Sequence, residues 1–434
     1  MNGLWKLLAV TATAMVLIAG HVSSSRGTSL AASSQQGATA PSNPVTLKIA
    51  GIQYGYTPTV IAAFMKRNPT IKVNFSGGNV SFENGQIQTV LRSGHGPDVL
   101  LINSGPGRVG LLSSQGLIRS LDDVYKKYNI TERYQKWVID QIRTQGKGHI
   151  YEIVEGADVF QVYYNKEIFS KQGLQPPRTW AQFLADCNKL KEAGVLPIVA
   201  GVRDNFAGGW LMGTLVQASA GKDIMTNVIY GTGNFDQPKI VRGAQMLKDL
   251  VSKGYINGYQ AAALTADQAD AAFTHGRGAM IVFSQGHIIS AQKNGVDVSK
   301  FGSFLMPSLN AGQPAQPIAG LAHSWVVDVN TKKMSAVEKW LNWVSSDDYL
   351  KIAVAHGGSL VPTLKVPQSI KLPPAIQDAA AKLEKGAGYN PSVYLPAAAK
   401  DAWYAAVQQL ITGQASPEQA MKQIQSALAE SRHK

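Results

Sequence analysis

Three carboxylates lie close together on one short segment of this sequence, Glu152, Glu155 and Asp158. A glycosidase holds two carboxyl groups at a fixed separation across the bond that it hydrolyses. Residues a few positions apart on one extended strand do not supply that arrangement in an obvious way. An ionised carboxylate is, however, a strong acceptor for the hydroxyl groups of a sugar. We therefore expect a binding protein and no enzyme, with a secreted carbohydrate-active enzyme as the alternative from another class.

Signals for metal binding or nucleophilic catalysis are nearly absent. The histidines of the body of the chain are isolated, and no two are four residues apart as in a zinc-binding helix. The sequence contains no G-x-S-x-G nucleophile motif and no Walker phosphate loop. We accordingly expect neither a metal nor a cofactor. The isolated histidines are His95, His149, His275, His287, His323 and His356.

One glycine motif has the spacing of a dinucleotide-binding loop, G-x-G-x-x-G at Gly105–Gly110, with Asp122 further on. In that class of site the loop follows the first strand and opens a helix. Here it follows the third predicted strand, Pro106 stiffens the turn, and the sequence at 121–123 predicts a helix start instead. We therefore interpret the motif as a loop that faces a ligand.

Aromatic residues beside loops or helix starts point to a ligand with flat apolar faces: Trp210, Trp325, Trp403 and Tyr404. Sugar rings present C–H faces that pack on aromatic rings, while their hydroxyl edges need polar partners. For any single one of these residues, a place in the core is an equal alternative, because tryptophan is mostly buried.

The first predicted elements alternate between strand and helix. An alternating strand begins at Val45, and a helix follows with Thr57 as its cap and Pro58 at its first position. A second strand covers 71–75, and a helix at about Phe82 to Arg92 leads to a continuous apolar strand at 98–102. This order predicts an open α/β sheet with its ligand site at the carboxyl ends of the strands.

A second α/β pattern begins after residue 158, with a strand, two helices and a further strand at 195–199. The helix after Thr179 has a capping box with Gln182, and the last helix has another, formed by Ser416 and Gln419. Gly173, Gly194 and Gly413 are placed where helices should stop.

Three extended segments, at about 155–160, 278–284 and 321–327, link regions of different character. Three crossings between two lobes would form a hinge. We therefore predict a first lobe of residues 45–157 and 281–321, and a second lobe of residues 158–280 and 322–434.

Length and composition agree with this division. A chain of 434 residues exceeds one ordinary core, and 45% hydrophobic with 16% charged residues describes a folded protein. The formal net charge is +13, but the basic residues are scattered, so we expect no nucleic-acid partner.

The N-terminal residues predict export. Lys6 precedes an apolar run from Leu7 to Gly20, which is too short to span a bilayer comfortably. We expect a signal peptide over residues 1–31, a flexible tether over 32–44, and a periplasmic or cell-surface protein. His21 stands where a lipoprotein would carry its lipidated cysteine, and Cys187 is the single cysteine of the chain.

The segment Val162–Phe169, followed by Pro176–Trp180, resembles a signature of the extracellular solute-binding proteins that deliver sugars to ABC transporters. Four further segments resemble other parts of the same family, so the resemblance covers essentially the whole chain after the tether. These segments are 93–99, 116–122, 273–280 and 410–428.

The resemblance implies a two-lobe periplasmic-binding-protein fold of the type II kind, in the α/β class, with a three-segment hinge. Such proteins close over a carbohydrate in the cleft between the lobes and dock on the permease subunits of an ABC transporter, here as a monomer. Relatives that take glycerol phosphodiesters or polyamines leave a non-sugar polar solute as the alternative.

By position, the resemblance makes Asp158 the sugar-binding acid and Trp403 with Tyr404 the pair whose tryptophan stacks on the sugar. In one place the sequence departs from the family, because Ser284–His287 lacks the usual Gly-x-Trp after Met280. Hydrogen bonding from Gln285 or His287 is expected to replace that tryptophan. The full set of expected ligand contacts is Asp158, Trp403, Tyr404, Trp210, Gln285, Asn103, Ser104, Gln53, Tyr54 and His323.

Overall fold

The structure is a computed structural model that describes residues 44–78, 86–204, 206–310, 312–384 and 386–432. The expected signal peptide over residues 1–31 lies outside the described residues, and so does the expected tether apart from residue 44. The start of the helix expected at Phe82 also lies outside them. In the described ranges, no helix combines the length and the apolar character that crossing a membrane would require.

The strands of the described residues form two separate sheets. In chain order they are β1 (Val45–Gly51), β2 (Ile71–Gly77), β3 (Val99–Asn103), β4 (Ile153–Val154), β5 (Ala157–Asn165), β6 (Met280–Ser284), β7 (Phe301–Phe304), β8 (Ile318–Leu321), β9 (His323–Val327) and β10 (Gly388–Tyr389).

Helices cover both sheets and connect their strands. They are α1 (Thr57–Arg67), α2 (Gln86–Arg92), α3 (Leu111–Ser114), α4 (Asp122–Lys127), α5 (Lys136–Gln145), α6 (Lys166–Lys171), α7 (Trp180–Glu192), α8 (Phe206–Ala220), α9 (Lys222–Tyr230), α10 (Pro238–Ser252), α11 (Gly258–Ala263), α12 (Ala266–Thr274), α13 (Gln285–Lys293), α14 (Met334–Val344), α15 (Asp347–Ala355), α16 (Pro374–Leu383), α17 (Pro391–Tyr394), α18 (Ala397–Thr412) and α19 (Pro417–Arg432). Shorter helical turns occupy Pro106–Gly110, Ile130–Arg133 and Val298–Lys300.

The first sheet has the strand order β2-β1-β3-β9-β4. Strand β1 is parallel to β2 and β3, which confirms the predicted β-α-β-α-β start. Strand β9 enters antiparallel to β3, with Leu101 opposite Trp325. Both faces of β3 are covered, because Val99 and Leu100 are both fully buried, as expected for a continuous apolar strand in a parallel sheet.

The second sheet has the strand order β10-β8-β5-β6, and β7 also pairs with β5. Strand β5 is antiparallel to β6, β7 and β8, whereas β8 and β10 are parallel. Seven of the nine residues of β5 are buried, so this strand runs through the centre of the second lobe.

The sheets differ from the expected lobe boundaries. Strands β6, β7 and β8 belong to the second sheet, although we expect residues 281–321 in the first lobe. Strand β9, together with α14 and α15, packs in the core of the first sheet, although we expect residues 322–434 in the second lobe. The reason is that β8 and β9 are separated by Ala322 alone, so no turn in the sequence marks where the chain leaves one sheet for the other.

The chain changes sheet in three places within the described residues. Two of them, between β4 and β5 and between β8 and β9, fall in the expected crossings 155–160 and 321–327. The expected crossing at 278–284 is instead β6, which stays in the second sheet. The third change lies between Leu364, in the core of the first lobe, and Ile376, beside the second sheet.

Most predicted helix signals are confirmed, but Thr57 is the first residue of α1 and not its cap; Tyr56 takes the cap position, without a side-chain cap bond. Ser416 and Gln419 exchange both bonds of a capping box. Thr179 accepts from the Gln182 backbone, but the Gln182 side chain accepts from the backbone N–H of Arg178, one residue earlier than expected. Gly173, Gly194 and Gly413 all have the left-handed backbone conformation that ends a helix.

Candidate functional site

Asp158 lies where the chain enters the second sheet from the first. It is the second residue of β5 and is paired with Gly320 on β8. Burial raises the pKa of its carboxyl group to about 6, against the opposing effects of the His287 charge and of a hydrogen bond from Gln285. The carboxylate is therefore ionised at neutral pH in a poorly solvated place.

Gln285 holds Asp158 in position from the first residue of α13. Its side-chain oxygen accepts a hydrogen bond from the Val159 backbone at 3.0 Å. Its amide nitrogen donates to the Ser359 carbonyl at 2.9 Å and lies 3.4 Å from Asp158 Oδ1. Because the side chain is fully buried and bonded at both ends, the structure makes Gln285 a positioning residue and not the direct ligand contact that we expect from the sequence.

Tyr54 and His323 are two polar residues of the first lobe whose side chains are hydrogen-bonded to each other. The Tyr54 backbone N–H donates to the Thr57 hydroxyl at 2.9 Å, so Thr57 fixes this loop and is itself the first residue of α1. The Tyr54 ring stacks on Tyr56 with centroids 4.9 Å apart. Its hydroxyl group is hydrogen-bonded to Nδ1 of His323.

His323 begins β9 and is paired with Asn103 at the end of β3. Burial lowers the pKa of His323 to about 4, so its imidazole is neutral at neutral pH. The pKa of Tyr54 is raised by burial and then by the charges of Glu155 and Asp158.

An aromatic surface adjoins Asp158 on the same face of β5. Phe160 is two residues along the strand and therefore points to the same side as Asp158. The ring of Trp210 packs against Phe160 with centroids 4.6 Å apart, and Phe206 lies 5.1 Å from Trp210. Phe206 is 38% exposed although it is a large apolar side chain. A carboxylate and partly open aromatic rings thus share one surface.

His287 completes the second-lobe side of this surface. Its ring lies 5.7 Å from the ring of Trp210 and 4.1 Å from that of Phe283. Its Nδ1 is 3.8 Å from Asp270 Oδ2. Phe160, Phe206 and Asp270 are not among the contacts expected from the sequence. Phe206 could have been found there, because it lies four residues before Trp210 at a helix start and therefore on the same helix face.

Trp403 does not reach the cleft. It is fully buried in the core of the second lobe, and its indole nitrogen donates to the Gly209 carbonyl at 3.2 Å. Its ring packs against Phe235. The expected stacking role therefore does not fit this structure, because Trp403 lies on the inner face of α18, one turn from Ala399 and Ala406. The adjacent Tyr404 is half-buried, and its role stays a prediction.

Ser104 also makes its described side-chain hydrogen bond inside the protein. It is fully buried and donates to Glu152 Oε2 at 2.7 Å, while Gln145 donates to Oε1 of the same carboxylate at 2.7 Å. The expected contact between Ser104 and a ligand is thus replaced by an internal bond. Asn103 and Gln53 are exposed at the carboxyl ends of β3 and β1, where the sequence predicts the site, and they remain predicted contacts.

Glu155 is satisfied by three donors of the first lobe. Its oxygens accept from Tyr56 at 2.7 Å, from the Trp325 indole at 2.6 Å and from the Tyr349 hydroxyl. Burial raises its pKa, and these three hydrogen bonds oppose that rise. Of the three clustered carboxylates, Glu152 and Glu155 are therefore committed to internal hydrogen bonds, while the one described side-chain bond of Asp158 is long.

The glycine loop after β3 packs against the second lobe. Gly105 has φ of 111°, and a Cβ atom there would lie 2.3 Å from the Val393 carbonyl oxygen. The loop continues as a helical turn over Pro106–Gly110. Its close contact with the 393–396 segment explains the glycines without a dinucleotide. Among the described residues, no group of three His, Cys, Asp or Glu side chains could hold a metal ion.

Comparisons with known proteins agree with this architecture. The model of the family named bacterial extracellular solute-binding protein matches residues 51–351. A relative from Pyrococcus horikoshii, an uncharacterised ABC transporter extracellular-binding protein, is 25% identical over 70% of this chain and 67% of its own length. The sn-glycerol-3-phosphate-binding periplasmic protein UgpB of Yersinia pestis is 29% identical over 56% of this chain, which spans only 55% of that protein.

Solved structures share the fold over nearly their whole length. A chitin oligosaccharide binding protein has a TM-score of 0.78 at 20% identity, covering 91% of this chain and 100% of its own. A probable secreted solute-binding lipoprotein from Streptomyces coelicolor has a TM-score of 0.75 at 19% identity, covering 89% of this chain and 99% of its own. With its two helix-covered sheets and the family match over more than half of its residues, the chain belongs to the bacterial extracellular solute-binding proteins of ABC transporters.

Proposed function

We propose that this protein captures a carbohydrate between its two lobes, at Asp158, and delivers it to the permease of an ABC importer. The observation that carries the proposal is that Asp158 and the Phe160–Trp210 aromatic pair share one face of β5. A sugar needs both kinds of partner, because it presents an apolar ring face and a hydroxyl edge.

Each described residue has a distinct role in this proposal. Asp158 accepts hydrogen bonds from sugar hydroxyl groups, which are stronger for an ionised acceptor than for a neutral one. Trp210 and Phe206 pack on a ring face. The Tyr54–His323 pair supplies the first-lobe polar contact, and its neutral imidazole avoids a charge that a sugar would not match. Gln53, Asn103 and Tyr404 are proposed as contacts at the edge of the site.

Capture and release need no bond chemistry. We propose that the sugar shifts the population towards a closed arrangement of the lobes, because only that arrangement lets both sides contact it. The three chain crossings near residues 155–157, 322 and 364–376 are the proposed hinge. We further propose that the protein acts as a monomer outside the cytoplasm, exported by the N-terminal signal peptide.

The second candidate is a glycerol phosphate, because UgpB is named for sn-glycerol-3-phosphate. The charges of the described site favour the sugar. Asp158 is ionised at neutral pH and Asp270 lies beside His287, so a phosphate bound there would be repelled by nearby carboxylates. The structurally similar chitin oligosaccharide binding protein supports an oligosaccharide ligand.

The test is a thermal-shift screen of mono- and oligosaccharides, sn-glycerol-3-phosphate and glycerophosphodiesters, followed by titration calorimetry of each hit. We expect stabilisation by at least one neutral saccharide and a loss of affinity in Asp158→Asn of about tenfold to a hundredfold. Asp236→Asn is the matched control, because Asp236 is exposed on the loop between α9 and α10 and is none of the proposed contacts. Stabilisation by glycerol phosphates alone, or unchanged sugar affinity in Asp158→Asn, would contradict the proposal.

A further inference from the structure

A cavity, which we call the rear cavity, lies between the two lobes on the side of the second sheet opposite Asp158. Its volume is about 330 Å³. One wall is α5, which packs in the core of the first lobe. The other walls are α9, β10 and the end of α16, all of the second lobe.

Strand pairing places this cavity on the opposite side of the second sheet from Asp158. Asp158 is paired with Gly320, and Tyr389 is paired with the neighbouring Ala319. Directly paired residues share a face, and successive residues of a strand point to opposite faces. Because Ala319 and Tyr389 line the cavity, it is separated from the Asp158 cleft by the sheet itself.

The side chains of the cavity combine aromatic faces with hydrogen-bonding groups. Trp137 and Tyr389 are half-buried and stand on different lobes. Asp140 and Thr144 line the α5 wall, one turn apart, and Asp223 lines the α9 wall. Carboxylates beside aromatic rings match a ligand that has hydroxyl groups around an apolar ring face.

The aromatic rings are held in place before any ligand binds. The Trp137 indole nitrogen donates to Gln135 Oε1 at 2.8 Å. Tyr389 is bracketed by Tyr230 and Tyr394, with ring centroids 5.7 and 5.1 Å away and nearly perpendicular planes. Rings that are already ordered lose little conformational entropy when they bind a ligand.

Glycine at position 388 fixes the strand that carries Tyr389. A Cβ atom at Gly388 would lie 1.8 Å from Gln217 Oε1, so the Gln217 side chain of α8 contacts the β10 backbone directly beside Tyr389.

We propose that this rear cavity is a second saccharide site, which takes one pyranose ring or a disaccharide. Its volume is at the small end of the range for ligand pockets, roughly 300–1,000 Å³, which matches a ligand of one or two sugar rings. The carboxylates of Asp140 and Asp223 are balanced by Lys222, which also lines the cavity, and by Lys136, which pairs with Asp140. The site therefore has no strong net charge and matches a neutral ligand. The proposal stands on the cavity alone and does not depend on sugar binding at Asp158.

The experiment uses the full chain carrying Asp158→Ala, which removes the main acceptor of the cleft. It is titrated by saturation-transfer NMR and calorimetry with glucose, galactose, xylose, N-acetylglucosamine and cellobiose. We expect one residual site with a dissociation constant of about 1–10 mM for at least one probe. Adding Tyr389→Ala or Asp223→Asn should weaken that binding at least fivefold. Tyr389→Phe should retain it, because the ring remains.

Tyr259→Ala is the matched control, since Tyr259 is 73% exposed and lies outside both sites. Asp223 is exposed on the first turn of α9, so Asp223→Asn tests the site even where Tyr389→Ala fails to fold. No residual binding in Asp158→Ala, or residual binding that neither cavity variant changes, overturns the second site. Sugar binding that survives Asp158→Ala unchanged but is lost in Asp223→Asn supports the cavity and defeats the cleft.

Discussion

The side-chain amide of Gln285 lies 3.4 Å from the carboxylate of Asp158, and the other end of the same side chain accepts a hydrogen bond from the Val159 backbone. Gln285 thus ties the start of α13 to the start of β5. It also donates to the Ser359 carbonyl, on the segment that returns from the first lobe. One buried glutamine therefore positions Asp158, the proposed acidic ligand contact.

Replacing Gln285 should weaken ligand binding without removing any ligand contact. Gln285→Ala frees the Asp158 carboxylate and leaves the Val159 amide unpaired, so we expect a loss of affinity of about tenfold together with about 1–3 kcal/mol of stability. Gln285→Glu should be worse for affinity, because a second carboxylate would face Asp158. Calorimetry and chemical denaturation of both variants measure the two effects. A direct contact would instead show an affinity loss with unchanged stability.

Sugar affinity should fall in mild acid. Burial raises the pKa of Asp158 to about 6, and only the ionised carboxylate is the strong acceptor. Affinity should therefore be full well above pH 6 and drop as the pH falls through 6, by about tenfold at pH 5. Calorimetric titrations between pH 5 and 8 measure this. Asp158→Asn is the control, because it lacks the titrating carboxyl group: its affinity should be low and nearly independent of pH.

Substitution of Trp403 should mainly reduce stability, whereas substitution of Trp210 should mainly reduce sugar affinity. Trp403 is fully buried, so Trp403→Ala should cost about 3–5 kcal/mol of unfolding free energy. Trp210 is half-buried in the aromatic surface beside Asp158, so Trp210→Ala should reduce sugar affinity by a larger factor than it reduces stability. Denaturation and calorimetry of the two variants compare them directly. Normal stability with lost affinity in Trp403→Ala would restore the stacking role to that residue.

The buried Glu152 should make the protein less stable as the pH rises. Burial raises its pKa to about 7, against hydrogen bonds from Ser324 and Ser104. Between the unfolded pKa, about 4.3, and 7 the native state binds more protons than the unfolded state, so unfolding free energy decreases with pH, by up to about 4 kcal/mol. Glu152→Gln should flatten the dependence measured by denaturation from pH 4.5 to 8. An equally steep pH dependence of the unfolding free energy in Glu152→Gln would show that another group causes it.

The local elements follow from the sequence because their causes are local. The capping box of Ser416 and the left-handed Gly413 depend on neighbouring residues only. The exchange of β8 and β9 between sheets does not, because the two strands follow each other directly and Ala322 carries no turn signal. Which sheet each strand joins is decided by distant partners, namely β5 for β8 and β3 for β9.

The residues of the candidate site are likewise only partly predictable from the sequence. Asp158 is placed by its distance from the strand signature, and the structure puts it at the junction of the lobes. Trp403 and Trp210 have similar local surroundings in the sequence, yet one is sealed in the core and the other lies beside the cleft. Burial of a tryptophan depends on which helix face the rest of the fold covers, and no short-range pattern carries that information.

The proposed function requires that a neutral saccharide binds at Asp158 and leaves unaltered. This is tested by calorimetric titration of the wild-type chain and of Asp158→Asn with the saccharide that stabilises the protein most, with chromatography of the recovered ligand. We expect saturable binding by the wild type, a loss of about tenfold or more in the variant, and intact ligand. Equal affinity in the two proteins, or cleavage of the saccharide, would contradict it.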